Sequence, residues 1–296
     1  MISNIEDNEL IIKKYKKRSQ FGEIYHRMKR NKGAMAGFII LCLMFLCLII
    51  SLLMSYKSVS QGNVSNNLAA PSLQHLFGTD NMGRDVFKRT IYGTRYSLAI
   101  GFGAVAIATI FGVTLGSFAG FYGGAADNII MRISDVLASI PGMLLGIVIV
   151  TVLGQSLQNI IIAVGVQAIP IYIRMTRASI LTVRNGEFVE AARAIGFSNM
   201  RILFSQVLPN GLSPVIVTIT ASLGISITVA ASLSYLGFGI PVPQPEWGAL
   251  ISSGREFARL AWWIMTFPGL FIMIIVLSFN LLGDGLRDAL DPKLKR

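Results

Sequence analysis

Asp80 and Asp85 lie five residues apart in GTDNMGRD, Gly78 to Asp85, a spacing that could suggest a cation site. Gly, Asp and Asn between apolar blocks are turn chemistry, however, and the expectation is a structured loop. Arg132 and Asp135, three apart, can pair on one helix face. A charge within a span is a functional hypothesis by default, but this site lies at the edge of an apolar block, and a structural charge pair is expected. The two histidines, His26 and His75, have no ligand set around them. Cys42 and Cys47 fall in one apolar block and read as small packing residues, with no disulfide or metal site implied. No G-x-x-x-x-G-K-[ST] occurs, so the chain cannot cradle ATP in the P-loop manner. No Ser/His/Asp set can be argued either. The chain is therefore expected to hold no catalytic residue, no metal and no cofactor.

A further group of charges lies in GEFVEAARAIGFSNMRILFSQVLPN, Gly186 to Asn210. Here Glu187, Glu190, Arg193 and Arg201 interrupt a chain that is 53% hydrophobic and only 14% charged. Phe188, Ala191, Ala192 and Ile195 stand at i, i+3, i+4 and i+7, the spacing of one apolar helix face. Glu187 and Glu190 fall in the first turns, where the helix dipole favours negative charge. Gly196 tolerates a left-handed backbone and suits a C-terminal cap. Ser198 or Asn199 can cap a second short helix, and Pro209 is expected to end it. The stretch reads as helix, glycine break and helix, held at a membrane surface.

The surrounding sequence supplies the membrane. A bilayer core about 30 Å thick needs about 20 apolar residues in a helix. Ala34 to Met54 holds 21 residues without a charge, twelve of them Leu, Ile or Phe. On a per-residue insertion scale those twelve favour the membrane by about 4 to 7 kcal/mol. A cleaved secretory signal would be shorter and nearer the start. Five further spans are expected at Tyr96–Phe121, Ile133–Leu153, Leu157–Ile173, Leu212–Leu236 and Leu260–Leu282. The alternating segments of a membrane barrel are absent. The fold class is an all-α integral membrane protein with six transmembrane helices.

Lysine and arginine set the orientation. With both termini cytoplasmic, 19 of the 26 basic residues fall inside and 7 outside. Arg84, Lys88, Arg89 and Arg95 run against that rule. Residues 1–33 then form a basic cytoplasmic tail, 34–54 the first span and 55–95 an extracytoplasmic segment. Residues 96–296 supply five helices, with the charged loop 184–209 in the cytoplasm. The net charge of +11 is mostly this inside signal. Its neighbour is anionic membrane lipid, and no nucleic acid is needed.

Glu190-Ala191-Ala192, then Gly196, then Leu208-Pro209, resembles the EAA loop of binding-protein-dependent ABC transporter permeases. That pattern is Glu-Ala-Ala, three residues, Gly, nine residues, Ile, one residue, Leu-Pro. Gln206 stands at the Ile position, a departure that bears on the packing of the second helix. Three more stretches look like the dipeptide/oligopeptide/nickel branch, second permease subunit type. They are HLFGTDNMGRDVFKRTIYGTRYSLAIG (His75 to Gly101), SYLGFGIPVPQPEWGALISSGR (Ser234 to Arg255) and FPGLFIMIIVLSFNLLGDGLRDALDPKLKR (Phe267 to Arg296).

The resemblance implies the permease core of a type I ABC importer for peptides or a related small solute. It implies that Glu187, Phe188, Glu190, Ala191, Ala192, Arg193, Gly196, Leu208 and Pro209 form a coupling helix and turn that dock on an ATPase. The implied partners are a homologous second permease in a heterodimer, two ABC ATP-binding subunits that bind the ATP and Mg, and an extracytoplasmic solute-binding protein. The alternative is a secondary transporter or channel that works without ATP. The scarcity of charges within the spans and the EAA loop both oppose it.

Two further patterns concern packing. Ala104, Ala108, Gly112, Gly116 and Gly120 recur every fourth residue, which lets helix backbones pack closely in lipid. Trp247, Trp262 and Trp263 follow the helix-breaking Pro241, Pro243 and Pro245 and are expected to form an interfacial aromatic belt.

Overall fold

The computed structural model describes residues 28–290. The basic tail expected over 1–33 lies, up to residue 27, outside the described residues, as does the end of the chain from residue 291. Helix α1 (Lys32–Leu53) opens on Asn31, whose side chain accepts the Ala34 amide. Leu41 and Met44 pack into the core, while Phe38, Leu43, Leu46 and Leu53 point away from the protein.

Helix α2 (Val86–Tyr122) has 37 residues. At 1.5 Å per residue it is about 55 Å long, so it outruns a bilayer core of about 30 Å. It begins ten residues before the expected Tyr96, because Asp85 caps it by accepting the Lys88 amide at 2.9 Å. Lys88, Arg89 and Arg95 lower the hydropathy of those first turns without disfavouring helix.

The third span departs from expectation. In place of a continuous Ile133–Leu153 helix, α3 (Gly124–Ser139) and α4 (Gly142–Leu153) meet at an 87° bend. Pro141 is the cause. Its ring bars the preceding residue from helical backbone, and Ile140 is extended at φ −88°, ψ 126°. Helix α5 (Leu157–Val183) continues ten residues past Ile173, carrying Arg174 and Arg177 beyond the apolar stretch.

The chain then forms two short helices, α6 (Glu187–Ala194) and α7 (Asn199–Ile202). Three more helices complete the bundle: α8 (Leu208–Leu233), α9 (Trp247–Gly254) and α10 (Trp263–Leu290). With the bent α3–α4 pair taken as one crossing, up to six segments are long and apolar enough to cross a membrane. Helices α2 and α5 finish together, the Arg184 guanidinium donating to the Gly120 carbonyl at 2.8 Å.

Helix α2 lies along α5 through its small-residue stripe. Ala104 and Ala108 are fully buried. A methyl added at Gly116 would sit 2.6 Å from the Ile173 carbonyl oxygen, and one at Gly120 would sit 2.8 Å from Ile180 Cβ. Only near-bare backbone allows the helices this close.

The opposite end of the bundle is closed by the 54–85 segment and by α9. The Asp80 carboxylate accepts from the Arg84 side chain at 2.7 Å and from the Met82 and Arg84 amides. GTDNMGRD is thus a loop organised around its own aspartate. The tryptophans do not form a common belt. Trp262 is exposed, but Trp247 is buried and donates to the Thr90 carbonyl at 2.9 Å, and Trp263 donates to the Thr79 carbonyl at 3.0 Å. A buried indole N–H needs an acceptor, and here two of them pin this end to α2 and to the loop before it.

Candidate functional site

The end carrying α6 and α7 gathers the charged stretch picked out by the sequence. Glu187 and Glu190 occupy the first turn of α6 and Arg193 its last, each matching the helix dipole. The helix closes in a Schellman motif. Gly196 sits at φ +85°, its amide donates to the Arg193 carbonyl at 3.0 Å, and the Phe197 amide donates to the Ala192 carbonyl at 3.1 Å. Ser198 caps α7 by accepting the Arg201 amide, and the Arg201 guanidinium lies 4.0 Å above the Phe197 ring.

The apolar face of α6 differs from the one expected. Val189 and Ala192 are the buried pair, packed in a cluster with Phe121, Ile180, Ile202, Leu203 and Val207. Phe188 and Ile195 are 40% and 71% exposed, and Ala191 is exposed beside them. The i, i+3, i+4, i+7 set therefore splits. Ala192 joins Val189 in seating the helix on the ends of α2 and α5, while Phe188, Ala191 and Ile195 face outward. Met200 and Phe204 extend the exposed apolar surface.

Pro209 does not end the second helix, contrary to the expectation. The chain passes through a π turn, Leu203–Val207, directly into α8, with Pro209 in the first turn. A proline within a continuous helix removes one backbone hydrogen bond, and the π turn directly before Pro209 takes up the misfit. The Asn210 side chain donates to the Gln206 carbonyl at 2.7 Å. The result is one stiff path from α7 into the membrane helix.

The charge pair also needs correction. Asp135 accepts from Arg174 of α5 at 2.9 Å, not from Arg132. Arg132 is exposed and has no ion-pair partner among the described residues. Helix α3 crosses α5, so the arginine opposite displaces the one on its own helix. A second pair was not singled out from sequence: Asp127 of α3 accepts a two-pronged contact from Arg177 of α5, with Nη2 at 2.6 Å from Oδ2. Arg174 and Arg177 sit three apart in the sequence, a signal that read only as positive charge. Together the two pairs clamp the bent element α3 to the helix that leads into α6.

At the far end, Glu246 caps α9 while fully buried. Its carboxylate accepts from the Gly248 and Ala249 amides at 2.8 and 2.9 Å and from Ser97 of α2 at 3.1 Å. Burial pushes its carboxyl above the ordinary value, against the pull of those amides.

A bundle with five or six helices long and apolar enough to cross a bilayer is a multi-pass membrane protein. The chain belongs to the binding-protein-dependent transport system inner membrane component family, whose model matches residues 112–296. Residues 19–71 match the N-terminal transmembrane domain of oligopeptide transport permease C.

The relatives agree. The chain is 46% identical to the dipeptide transport system permease protein DppC of Alkalihalophilus pseudofirmus, covering 94% of this chain and 91% of that one. It is 40% identical to the di/tripeptide transport system permease protein DppC of Pseudomonas aeruginosa, covering 94% and 93%. It is 41% identical to the glutathione transport system permease protein GsiD of Pectobacterium atrosepticum, again covering 94% and 93%. An inward-facing structure of the MetNI methionine ABC transporter shares the fold. Its TM-score is 0.56 at 21% identity, covering 69% of this chain and 97% of that one. The chain is a permease subunit of an ABC importer and not an enzyme; hydrolysis belongs to a separate chain. Permeases of this family act with a partner permease, ATPase subunits and a substrate-binding protein.

Proposed function

We propose that this subunit imports small peptides of the dipeptide class, and that α6 is its coupling helix. The exposed apolar set Phe188, Ala191, Ile195, Met200 and Phe204 carries the second part of this reading. It surrounds a short helix whose buried residues, Val189 and Ala192, root it in α2, α5 and α8. A surface that is apolar, capped and rooted in three membrane helices suits a partner chain better than water. The occupant is an ATP-binding subunit, which holds the ATP and Mg²⁺. Two such subunits dock on a heterodimer of this chain and a homologous permease, with both termini of this chain cytoplasmic. A solute-binding protein delivers peptide to the other face. ATP shifts the pair between its two states by binding the closed ATPase dimer more tightly.

The test is reconstitution of the four kinds of subunit in proteoliposomes with radiolabelled dialanine. ATP-dependent uptake is expected. Phe188→Glu should abolish that uptake and release the ATPase on purification. Uptake that persists without the ATPase subunits would instead establish a secondary transporter.

A further inference from the structure

One helix, α8, contributes to the walls of two grooves. Towards the α6 end, α5, α8 and α10 line an open groove of about 620 Å³, a volume within the range that holds small molecules. Towards the other end, α4, α8 and α9 line a shallow groove of about 340 Å³. The lining positions of α8 and the turn after it, from Pro214 through Ala221 and Thr228 to Tyr235, recur at helical spacing on one face. Those 22 residues rise about 30 Å, the thickness of a bilayer core. One groove opens on each half of this face.

Its chemistry differs from that of the lipid-facing side. The outward face of α1 carries Phe38, Leu43, Leu46 and Leu53. The α8 face alternates Val217, Ala221 and Ile225 with Thr218, Thr228 and Ser232. Each of these three hydroxyls donates to the carbonyl four residues back, at 2.8 to 3.0 Å. The donor is thereby used up, and the oxygen lone pairs remain to accept. Such a groove receives N–H groups. The larger groove also carries one full charge of each sign, Asp284 and Arg287 of α10.

We propose that this face of α8 is the chain's half of the solute path, and that the larger groove is a resting site for a small zwitterionic peptide. Asp284 receives its ammonium group, Arg287 its carboxylate and Thr218 an amide N–H. The apolar residues of the wall accommodate side chains of varied shape. The proposal rests on the peptide-import reading, and its test separates the two.

The reconstituted importer carries Ala221→Trp, or, in a background with Cys42 and Cys47 replaced by serine, Ala221→Cys. Ala221→Trp should reduce dialanine uptake about tenfold or more while the complex assembles and binds ATP normally. The Ala221→Cys thiol should react with a charged methanethiosulfonate, whereas a cysteine at the exposed apolar position Ile110 of α2 should not. Dialanine should slow that labelling, and adding Asp284→Asn should remove the protection without altering the binding protein's affinity. Normal uptake by Ala221→Trp would overturn the path. Failure of Ala221→Trp to assemble would make the face a subunit contact and overturn it equally. Labelling unaffected by dialanine, in a complex that imports it, would overturn the resting site. If the wild-type complex imports no dialanine, the peptide reading falls and with it the resting site; labelling of Ala221→Cys against Ile110→Cys still decides the path.

Discussion

The Phe197 amide reaches back to the Ala192 carbonyl at 3.1 Å, and Gly196 makes that reach possible at φ +85°. Beyond its chain neighbours Ile195 and Phe197, no described heavy atom lies within 4 Å of where a Gly196 side chain would begin. A substitution there therefore meets no obstacle within the chain, and its cost is the left-handed backbone, about 1 to 2 kcal/mol for a residue with Cβ. Gly196→Val should leave the membrane helices inserted and the protein abundant, yet sharply weaken co-purification of the ATPase or uncouple hydrolysis from uptake. Gly196→Asn should retain most coupling, since Asn visits that region more readily. Detergent pull-down with parallel ATPase and uptake assays reads both. Normal transport by Gly196→Val with its ATPase bound would refute the coupling-helix assignment.

The clamp between α3 and α5 makes a graded prediction. Asp127 and Arg177 are less exposed, at 18% and 32%, and doubly bonded, whereas Asp135 and Arg174 are about half exposed. Exposed pairs contribute little, about 0 to 1 kcal/mol, because solvent screens them. Asp127→Asn and Arg177→Gln should each reduce the thermal stability of the purified subunit more than Asp135→Asn or Arg174→Gln, and Arg132→Gln should leave it unchanged. The pH profile of uptake should keep its shape in Asp135→Asn. A large shift in that profile at normal protein level would indicate proton coupling through Asp135.

The sequence made most of the helices legible, and its failures have identifiable physical causes. Apolar runs mark where lipid begins and ends, not where a helix does. Thus α2 starts at Val86 and α5 ends at Val183, about three turns beyond their hydropathy limits, because polar turns outside the lipid remain helical. The Pro141 bend was present in the sequence as a proline, but proline alone does not distinguish an 87° break from the uninterrupted passage through Pro170, Pro214 and Pro268. Gly196 and Ser198 announced their caps. Arg174 as the partner of Asp135, 39 positions away, carried no local signal, since the crossing of α3 over α5 is a tertiary fact. The buried side of α6 was misassigned by one residue. Val189 lies three before Ala192 and shares a face with it, just as Phe188 does with Ala191, and only packing chooses between the two.

Topology can be tested at two exposed residues. In a background with Cys42 and Cys47 replaced by serine, Ser65→Cys should react with an impermeant maleimide in intact cells. Asn185→Cys, beside α6, should react only after lysis. Both positions are exposed in the fold, so lack of reaction reports the membrane and not burial. The reverse pattern would place α6 outside, out of reach of any cytoplasmic ATPase, despite the 19 to 7 division of basic residues.

Glu246 links the far end of the bundle to pH. Its carboxyl is raised by burial above the ordinary 4.5, so the folded state holds this proton more tightly than the unfolded chain does. The linkage sign follows. The stabilisation is fully present below the ordinary carboxylate value and is lost as pH rises through the raised one. Melting of the purified subunit should therefore fall with rising pH above 4.5, and Glu246→Gln, which cannot titrate, should flatten that part of the curve. The Gln side chain still offers an oxygen to the Gly248 amide but sets an N–H against the Ala249 amide, so its melting point at acidic pH should lie below wild type. Glu246→Ala removes the cap altogether, which typically costs about 1 kcal/mol, and leaves Ser97 of α2 without its acceptor. It should loosen α9 from α2, read as faster amide exchange over Trp247–Gly254. A Glu246→Gln melting curve with the same pH slope as wild type would show that the buried carboxyl is not the titrating group.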